Sequence, residues 1–237
     1  MSQVNLLADT EQHRSPWTSP KRAVWLTVIL WLMATGGACW LDEPVASRVY
    51  SSGLYLIATH SAFLRIVKAP GSFYFTVLIA LLLWLFHPAS SRPALLLCGS
   101  GVMAGGVYTL GKWMIDRGRP IQNGAFANHP FELHFFRDGV LGLIASHPNR
   151  SFPSGHTCLA FAMATALAVY IPQWRLVFFL IATGVGVDRL LEGAHYMSDV
   201  VAGAGFGVLA TVLTMFVYEW AFSRGHLSNQ IRTVSGR

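Results

Sequence analysis

The chain has 237 residues, 53% hydrophobic and only 12% charged, with a mean hydropathy of +0.46 and a formal charge of +6. A soluble domain carries about twice that charged fraction, and the apolar residues here come in long blocks, so composition excludes an ordinary soluble domain and implies an integral membrane protein. The basic residues are scattered, with no run beyond Lys21-Arg22. That pattern argues against a nucleic-acid partner and for contact with anionic lipid headgroups. Cys39, Cys98 and Cys158 lie far apart without metal-ligand spacing and read as small core residues of helices.

Residues 1–22 read as a polar N-terminal tail, too long and too mixed in charge for a typical signal-peptide n-region. The apolar blocks then predict six transmembrane helices: Ala23–Leu41, Ser72–Phe86, Ala94–Ile115, Ser154–Ile171, Trp174–Leu191 and Asp199–Tyr218. Residues 42–71 read as a helix at the membrane interface. Residues 221–237 read as a polar C-terminal tail. The expected fold is thus an all-α, polytopic membrane helix bundle over residues 23–220. Gly101 and Gly105, and Gly203 and Gly207, are each four apart and let helices approach closely. Packing inside one bundle is the first reading of these pairs, and a homodimer the alternative.

Six spans put both termini on one side. The end of span three, the start of span four, the end of span five and the start of span six then share the opposite face, where Lys112, Arg119, His156, Arg189, His195 and Asp199 fall. The terminal side carries eight Lys and Arg against nine, or six once Lys112, Arg119 and Arg189 are set aside. This bias favours cytoplasmic termini and a site facing the periplasm or exterior. Residues 121–152 join spans three and four, and their aromatic content predicts a loop that dips into the interface as a lid. His129 and His134 flank Glu132, but Pro130 opposes a helix there, so they read as loop residues and not as a metal site.

The His195-x3-Asp199 spacing puts both side chains on one face of a helical turn. An aspartate so placed can accept the imidazole N–H, fix the tautomer and leave the other nitrogen free to attack. Three cations, Lys112, Arg119 and Arg189, around two histidines suit a phosphate better than a carboxylate or a sugar. Ser154 can cap the helix that follows it, whose first N–H groups attract an anion, and Gly155 lets backbone come close to a ligand.

Lys112-x6-Arg119-Pro120, Pro153-Ser154-Gly155-His156 and Arg189-x5-His195-x3-Asp199 together resemble, in order and spacing, the three-part signature of the type 2 phosphatidic acid phosphatase superfamily. The resemblance spans residues 112–199 and is to the bacterial integral-membrane branch, which dephosphorylates lipids. It implies a bacterial inner-membrane enzyme that needs no metal or cofactor and acts on a lipid phosphate. It further implies that His195 is the nucleophile, that Asp199 orients it, and that His156 protonates the leaving oxygen and then activates water. Lys112, Arg119, Ser154, Gly155 and Arg189 would hold the phosphoryl oxygens. Undecaprenyl diphosphate, phosphatidylglycerol phosphate, phosphatidic acid and lipid A phosphates are the substrates it implies. A lipid phosphotransferase using the same site and a non-enzymatic lipid transporter are the rival readings. Vanadate-dependent haloperoxidases share the signature but are soluble. One position departs from the pattern: Asp188 stands where the family commonly has serine, and it is expected to pair with Arg189 or point away from phosphate.

Overall fold

The computed structural model describes residues 20–86, 91–122, 125–126, 133–137, 139 and 149–235. Helix α1 (Pro20–Ser51) is followed by two short helices, α2 (Leu54–His60) and α3 (Ala62–Lys68). A 3-10 turn at Ala69–Gly71 leads into α4 (Phe73–Phe86), and α5 covers Arg92–Met114. After a stretch with short strands come α6 (Gly155–Tyr170), α7 (Arg175–Leu191) and α8 (Met197–Ser235).

The predicted spans correspond in position to α1, α4, α5, α6, α7 and α8, but the count of six does not carry over as six full crossings. Three segments are long and apolar enough to cross a bilayer: Trp25–Ser51, Arg92–Met114 and Met197–Trp220. A fourth arises only if Ala62–Gly71 and Phe73–Phe86, bent by 67° at Ser72, count as one broken span. Helices α6 and α7 have 16 and 17 residues, which is roughly 25 Å at 1.5 Å per residue, short of the ~30 Å hydrocarbon layer. The first helix runs past its apolar block to Ser51, with Pro44 inside it. The segment read as one interfacial helix is thus the end of α1 plus α2 and α3. Gly53 turns the chain between α1 and α2 with φ 70°, and the Ser61 hydroxyl caps α3 by accepting the Leu64 N–H. The C-terminal segment read as a polar tail is helical to Ser235. The N-terminal tail to residue 19 and most of the predicted lid lie outside the described residues.

Side-chain size is sorted in the way a membrane requires. The interior is lined by small residues, among them Ala104, Cys158, Ala160, Ala162, Ala202 and Ala210. The large apolar side chains point outward: Trp40 is 84% exposed and Tyr74 87%. A water-soluble protein would not present so broad an apolar surface, whereas lipid tails solvate it at no cost. Helix α6 packs against α5, α7 and α8, and α1 packs on α8. Interhelical hydrogen bonds replace water for the polar groups: Thr211 Oγ1 donates to the Ala162 carbonyl at 3.0 Å, and Trp31 Nε1 to the Val201 carbonyl at 3.0 Å.

The glycine pairs divide. A Cβ on Gly203 would lie 2.6 Å from the Ser154 carbonyl oxygen, and one on Gly207 2.2 Å from that of Cys158. This pair therefore serves the α6–α8 contact inside the chain. Gly101 faces Thr76 of α4, while Gly105 meets nothing within 4 Å. Because the neighbour at Gly207 is backbone, which cannot rotate away, Gly207→Val is expected to destabilise the protein by about 1–3 kcal/mol. Gly105→Ala is expected to leave stability unchanged. Thermal unfolding of the two variants in detergent checks both.

Candidate active site

The end of α5, the start of α6, the end of α7 and the start of α8 meet at one end of the bundle. Strand β1 (Ile115–Arg117) continues α5 and pairs antiparallel with β4 (Leu133–Phe135); β2 (Ile121–Gln122) pairs with β3 (Ala125–Phe126). Backbone hydrogen bonds then sew the three motif segments together. Ser151 N–H donates to the Arg117 carbonyl at 2.7 Å, Ser154 N–H to that of Asp199 at 3.1 Å, and Ile121 N–H to that of Gly193 at 3.1 Å. Just beyond the Glu192 C-cap of α7 stands Gly193, whose φ of 63° lies in the left-handed region and whose Cβ, if present, would meet Ile121 at 2.3 Å. Glycine is required there on both counts, and the turn it makes delivers His195 to the start of α8.

His195 is buried, and its Nδ1 lies 2.7 Å from the Ser151 carbonyl oxygen. A carbonyl only accepts, so Nδ1 carries the proton and Nε2 is left with its lone pair. The sequence assigns this contact to Asp199, but Asp199 Oδ2 is 3.8 Å from Nδ1, too far for a hydrogen bond. The physical reason is that Nδ1 carries one proton and the nearer Ser151 carbonyl takes it, while other donors hold the Asp199 carboxylate in place. Oδ2 accepts the Tyr196 N–H at 2.8 Å, which caps α8, and Oδ1 accepts from Arg117 Nη1 at 2.6 Å. Asp199 thus acts on the ring through its charge.

Arg117 and Asp42 are the residues that sequence reasoning misses. Arg117 Nη2 donates to Asp42 Oδ2 at 2.6 Å, and Nη1 donates to Ser198 Oγ at 2.8 Å as well as to Asp199. Its guanidinium carbon lies 4.2 Å from the centre of the Tyr196 ring. Asp42 also accepts the Ser198 N–H at 2.8 Å and its hydroxyl at 2.6 Å. Burial works against the Arg117 charge, but the Asp199 and Asp42 carboxylates more than offset it and raise its pKa above the ordinary arginine value.

The predicted cations converge. Lys112 Nζ donates to the Arg150 carbonyl, and Arg150 Nη1 returns a bond to the Lys112 carbonyl at 2.7 Å. Arg119 is close enough to Arg189 for their like charges to interact; burial first, then Arg189, holds the Arg119 pKa below its ordinary value. Arg119 Nε is buried with no hydrogen-bond partner among the described residues. Arg189 pairs with Asp188, as expected for the departing position, and with Glu192 Oε2 at 2.7 Å. The other Glu192 oxygen pairs with Lys68 Nζ at 2.8 Å. His156 feels the charges of Arg189, His195 and Lys68. Ser154 stands at the N-cap of α6, but its hydroxyl pairs with that of Thr157 at 2.8 Å and does not cap the helix; Gly155 follows it, half-buried. Among the described residues no group of three or more His, Cys, Asp and Glu could hold a metal ion. Of the predicted loop residues, His134 pairs in register with Asp116 across β1–β4, and His129 and Glu132 lie outside the described residues.

Chemically, a histidine with a free Nε2, in reach of the charge of a guanidinium whose Nε lacks a partner among the described residues, suits attack on an anionic centre. Burial holds the His195 pKa below its ordinary value of 6.5; the Asp199 carboxylate pulls it upward, and Lys112 and Arg119 push it down. The ring is therefore neutral, and nucleophilic, at pH 7.

The chain is thus a polytopic helical membrane protein with a cation-lined, two-histidine site at one end of its bundle. Residues 93–223, more than half of it, match the PAP2 superfamily, and the chain belongs to that family. The lipid A 1-phosphatase of Rhizobium etli is 36% identical over 120 residues, 49% of this chain and 47% of the relative. That of Rhizobium johnstonii is 35% identical over 120 residues, 49% of this chain and 44% of the relative. The chain spans about half the length of the curated relatives it matches. Two solved structures share the fold. Aquifex aeolicus LpxE aligns with a TM-score of 0.51 at 22% identity, covering 74% of this chain and 94% of that one. The transmembrane PAP2 type phosphatidylglycerolphosphate phosphatase of Bacillus subtilis aligns with a TM-score of 0.56 at 19% identity, covering 81% and 94%.

Two predictions follow from this geometry. A ring that protonates less readily folded than unfolded binds fewer protons in the native state, so stability is lost as the pH falls below about 6.5. Histidine NMR is expected to give a His195 midpoint below 6.5, with a parallel loss of thermal stability on acidification. Glu192→Gln removes a carboxylate that competes for Arg189 and Lys68. It is expected to tighten binding of inorganic phosphate by about 3- to 10-fold, which is roughly 0.7–1.4 kcal/mol, measurable by calorimetry.

Proposed function

We propose that the protein is a membrane lipid phosphatase that removes a terminal phosphate through a phosphohistidine intermediate. The observation that carries this reading is the Nδ1–H of His195 held by the Ser151 carbonyl, which leaves Nε2 free with the charges of Lys112 and Arg119 acting on the ring. In the first step the Nε2 lone pair attacks phosphorus. The bond from phosphorus to the lipid oxygen breaks, and His156, protonated when the anionic phosphate enters beside it, gives its proton to that oxygen. In the second step His156 takes a proton from water as the water oxygen attacks phosphorus. The P–N bond breaks, inorganic phosphate leaves and His195 is restored. Lys112, Arg119 and Arg189 stabilise the charge on the phosphoryl oxygens in both transition states. Asp199 offsets the positive charge that the ring gains when phosphorylated.

The names of the relatives direct the choice of substrate. Lipid A 1-phosphate is the first candidate, because the 36% identical relative carries that name, and phosphatidylglycerol phosphate is the second. The site would face the periplasm or exterior of the inner membrane, with the lipid tail among the exposed apolar side chains of the bundle. Phosphate release by detergent-purified protein is the test, using these lipids, phosphatidic acid and undecaprenyl diphosphate, with EDTA present. The expected outcome is release that survives EDTA and falls at least about 1,000-fold in His195→Ala, with the variant still folded. Normal turnover by that variant would overturn the mechanism, and no release from any lipid would overturn the function.

A further inference from the structure

The matched family segment begins at residue 93, yet one buried carboxylate of the site comes from α1. Asp42 lies outside residues 93–223 and is fully buried. It accepts three hydrogen bonds from two residues: Arg117 Nη2 at 2.6 Å, Ser198 N at 2.8 Å and Ser198 Oγ at 2.6 Å. Both partners adjoin Asp199: Arg117 binds its Oδ1 at 2.6 Å, and Ser198 precedes it in the chain.

We propose that Asp42 is a positioning residue for the reaction at His195: by sharing Arg117 with Asp199, it sets how much of the Asp199 charge reaches the imidazole. The proposal rests on the phosphatase reading above. Its physical basis is competition for one cation. A guanidinium that bonded Asp199 alone would neutralise that carboxylate more fully and draw it away from the ring, which already stands 3.8 Å off. Asp42 takes one arm of the fork, so Asp199 keeps charge with which to offset the positive ring of a phosphohistidine. The Tyr196 ring against the guanidinium and the Ser198 hydroxyl between the two carboxylates hold the fork in that shared pose. Around His195 itself the charged and titratable groups are Asp199 on α8, Lys112 on α5, Arg119 after β1, and His156 on α6. Glu43, beside Asp42 in the chain, acts on Tyr196.

The experiment compares Asp42→Asn with the parent protein. The amide keeps the shape and the bond from Ser198 N–H but surrenders the charge and one acceptor. Arg117 then turns wholly to Asp199, and the ring sees a more positive surrounding. The expected result is a kcat lower by about tenfold with KM changed less than about threefold, and the acid limb of the kcat/KM profile displaced to lower pH. A purely structural role would lower the thermal midpoint and the active fraction and leave the limb in place; that outcome overturns the proposal. If Asp42→Asn does not fold, Arg117→Lys decides, since an ammonium keeps the charge but lacks the fork that spans two carboxylates. A slowed enzyme with a displaced limb upholds the proposal there, and an unmoved limb overturns it. Failure of the function is told apart by carbon-13 NMR of the histidine rings, with His195 assigned through His195→Gln. If the parent releases no phosphate from any lipid, the phosphatase reading falls. The His195 midpoint in Asp42→Asn still reports the coupling, and an unmoved midpoint overturns this inference alone.

Discussion

The structure depends on one guanidinium held between two buried carboxylates. Burying any of the three charges alone would cost several kcal/mol, so Arg117, Asp42 and Asp199 are stable only together. Their meeting fixes three segments distant in sequence: α1 through Asp42, the strand after α5 through Arg117, and the first turn of α8 through Asp199. The remaining site follows from that node. Held by Arg117 and the Tyr196 N–H, Asp199 stands 3.8 Å from the His195 ring, and the Ser151 carbonyl takes the one Nδ1 proton and fixes the tautomer. Ser151 is itself placed by a hydrogen bond to the Arg117 carbonyl, so the same residue governs the ring from two directions.

The bundle below this node is built to bring backbones close. Small residues fill its interior and large apolar ones face outward, the reverse of a soluble core. At Gly203 and Gly207 the approach of α8 to α6 leaves no room for a Cβ. That closeness carries Ser154 to the Asp199 backbone and makes the motif segments on α6 and α8 adjacent. The charged groups gather at the helix ends, where the cost of holding them out of water is lowest.

Much of this is legible in the sequence because it is local or periodic. The apolar blocks mark the six main helices, and the spacing within each motif brings Lys112, Arg119, Arg189, His156 and His195 to one end of the bundle. What escapes is non-local or has no side chain. The hydrogen bond to His195 comes from a backbone carbonyl, which residue identity does not reveal. Arg117 sits between the two motif cations Lys112 and Arg119, so its pattern is indistinguishable from theirs, yet it is spent on carboxylates and not on the ligand. Asp42 does carry a signal in the sequence: an acidic residue at the end of a long apolar run is costly unless it has a partner. The bounds of α6 and α7 match the predicted spans to within one residue at each end, but the sequence does not tell whether they cross the bilayer in full. Hydropathy does not distinguish a helix wrapped by protein from one that faces lipid along its whole length.

The order of these charges along the chain has a consequence for assembly. Synthesis proceeds from the N-terminus, so Asp42 enters the membrane first, Arg117 second and Asp199 last. When the guanidinium arrives, a carboxylate is already available to neutralise it, and the pair can wait without an exposed positive charge while α6 and α7 are laid down. The arrival of α8 then completes the triad and, in the same movement, brings in His195. The reactive imidazole is formed at the last stage of insertion, on a scaffold whose charge is already nearly balanced.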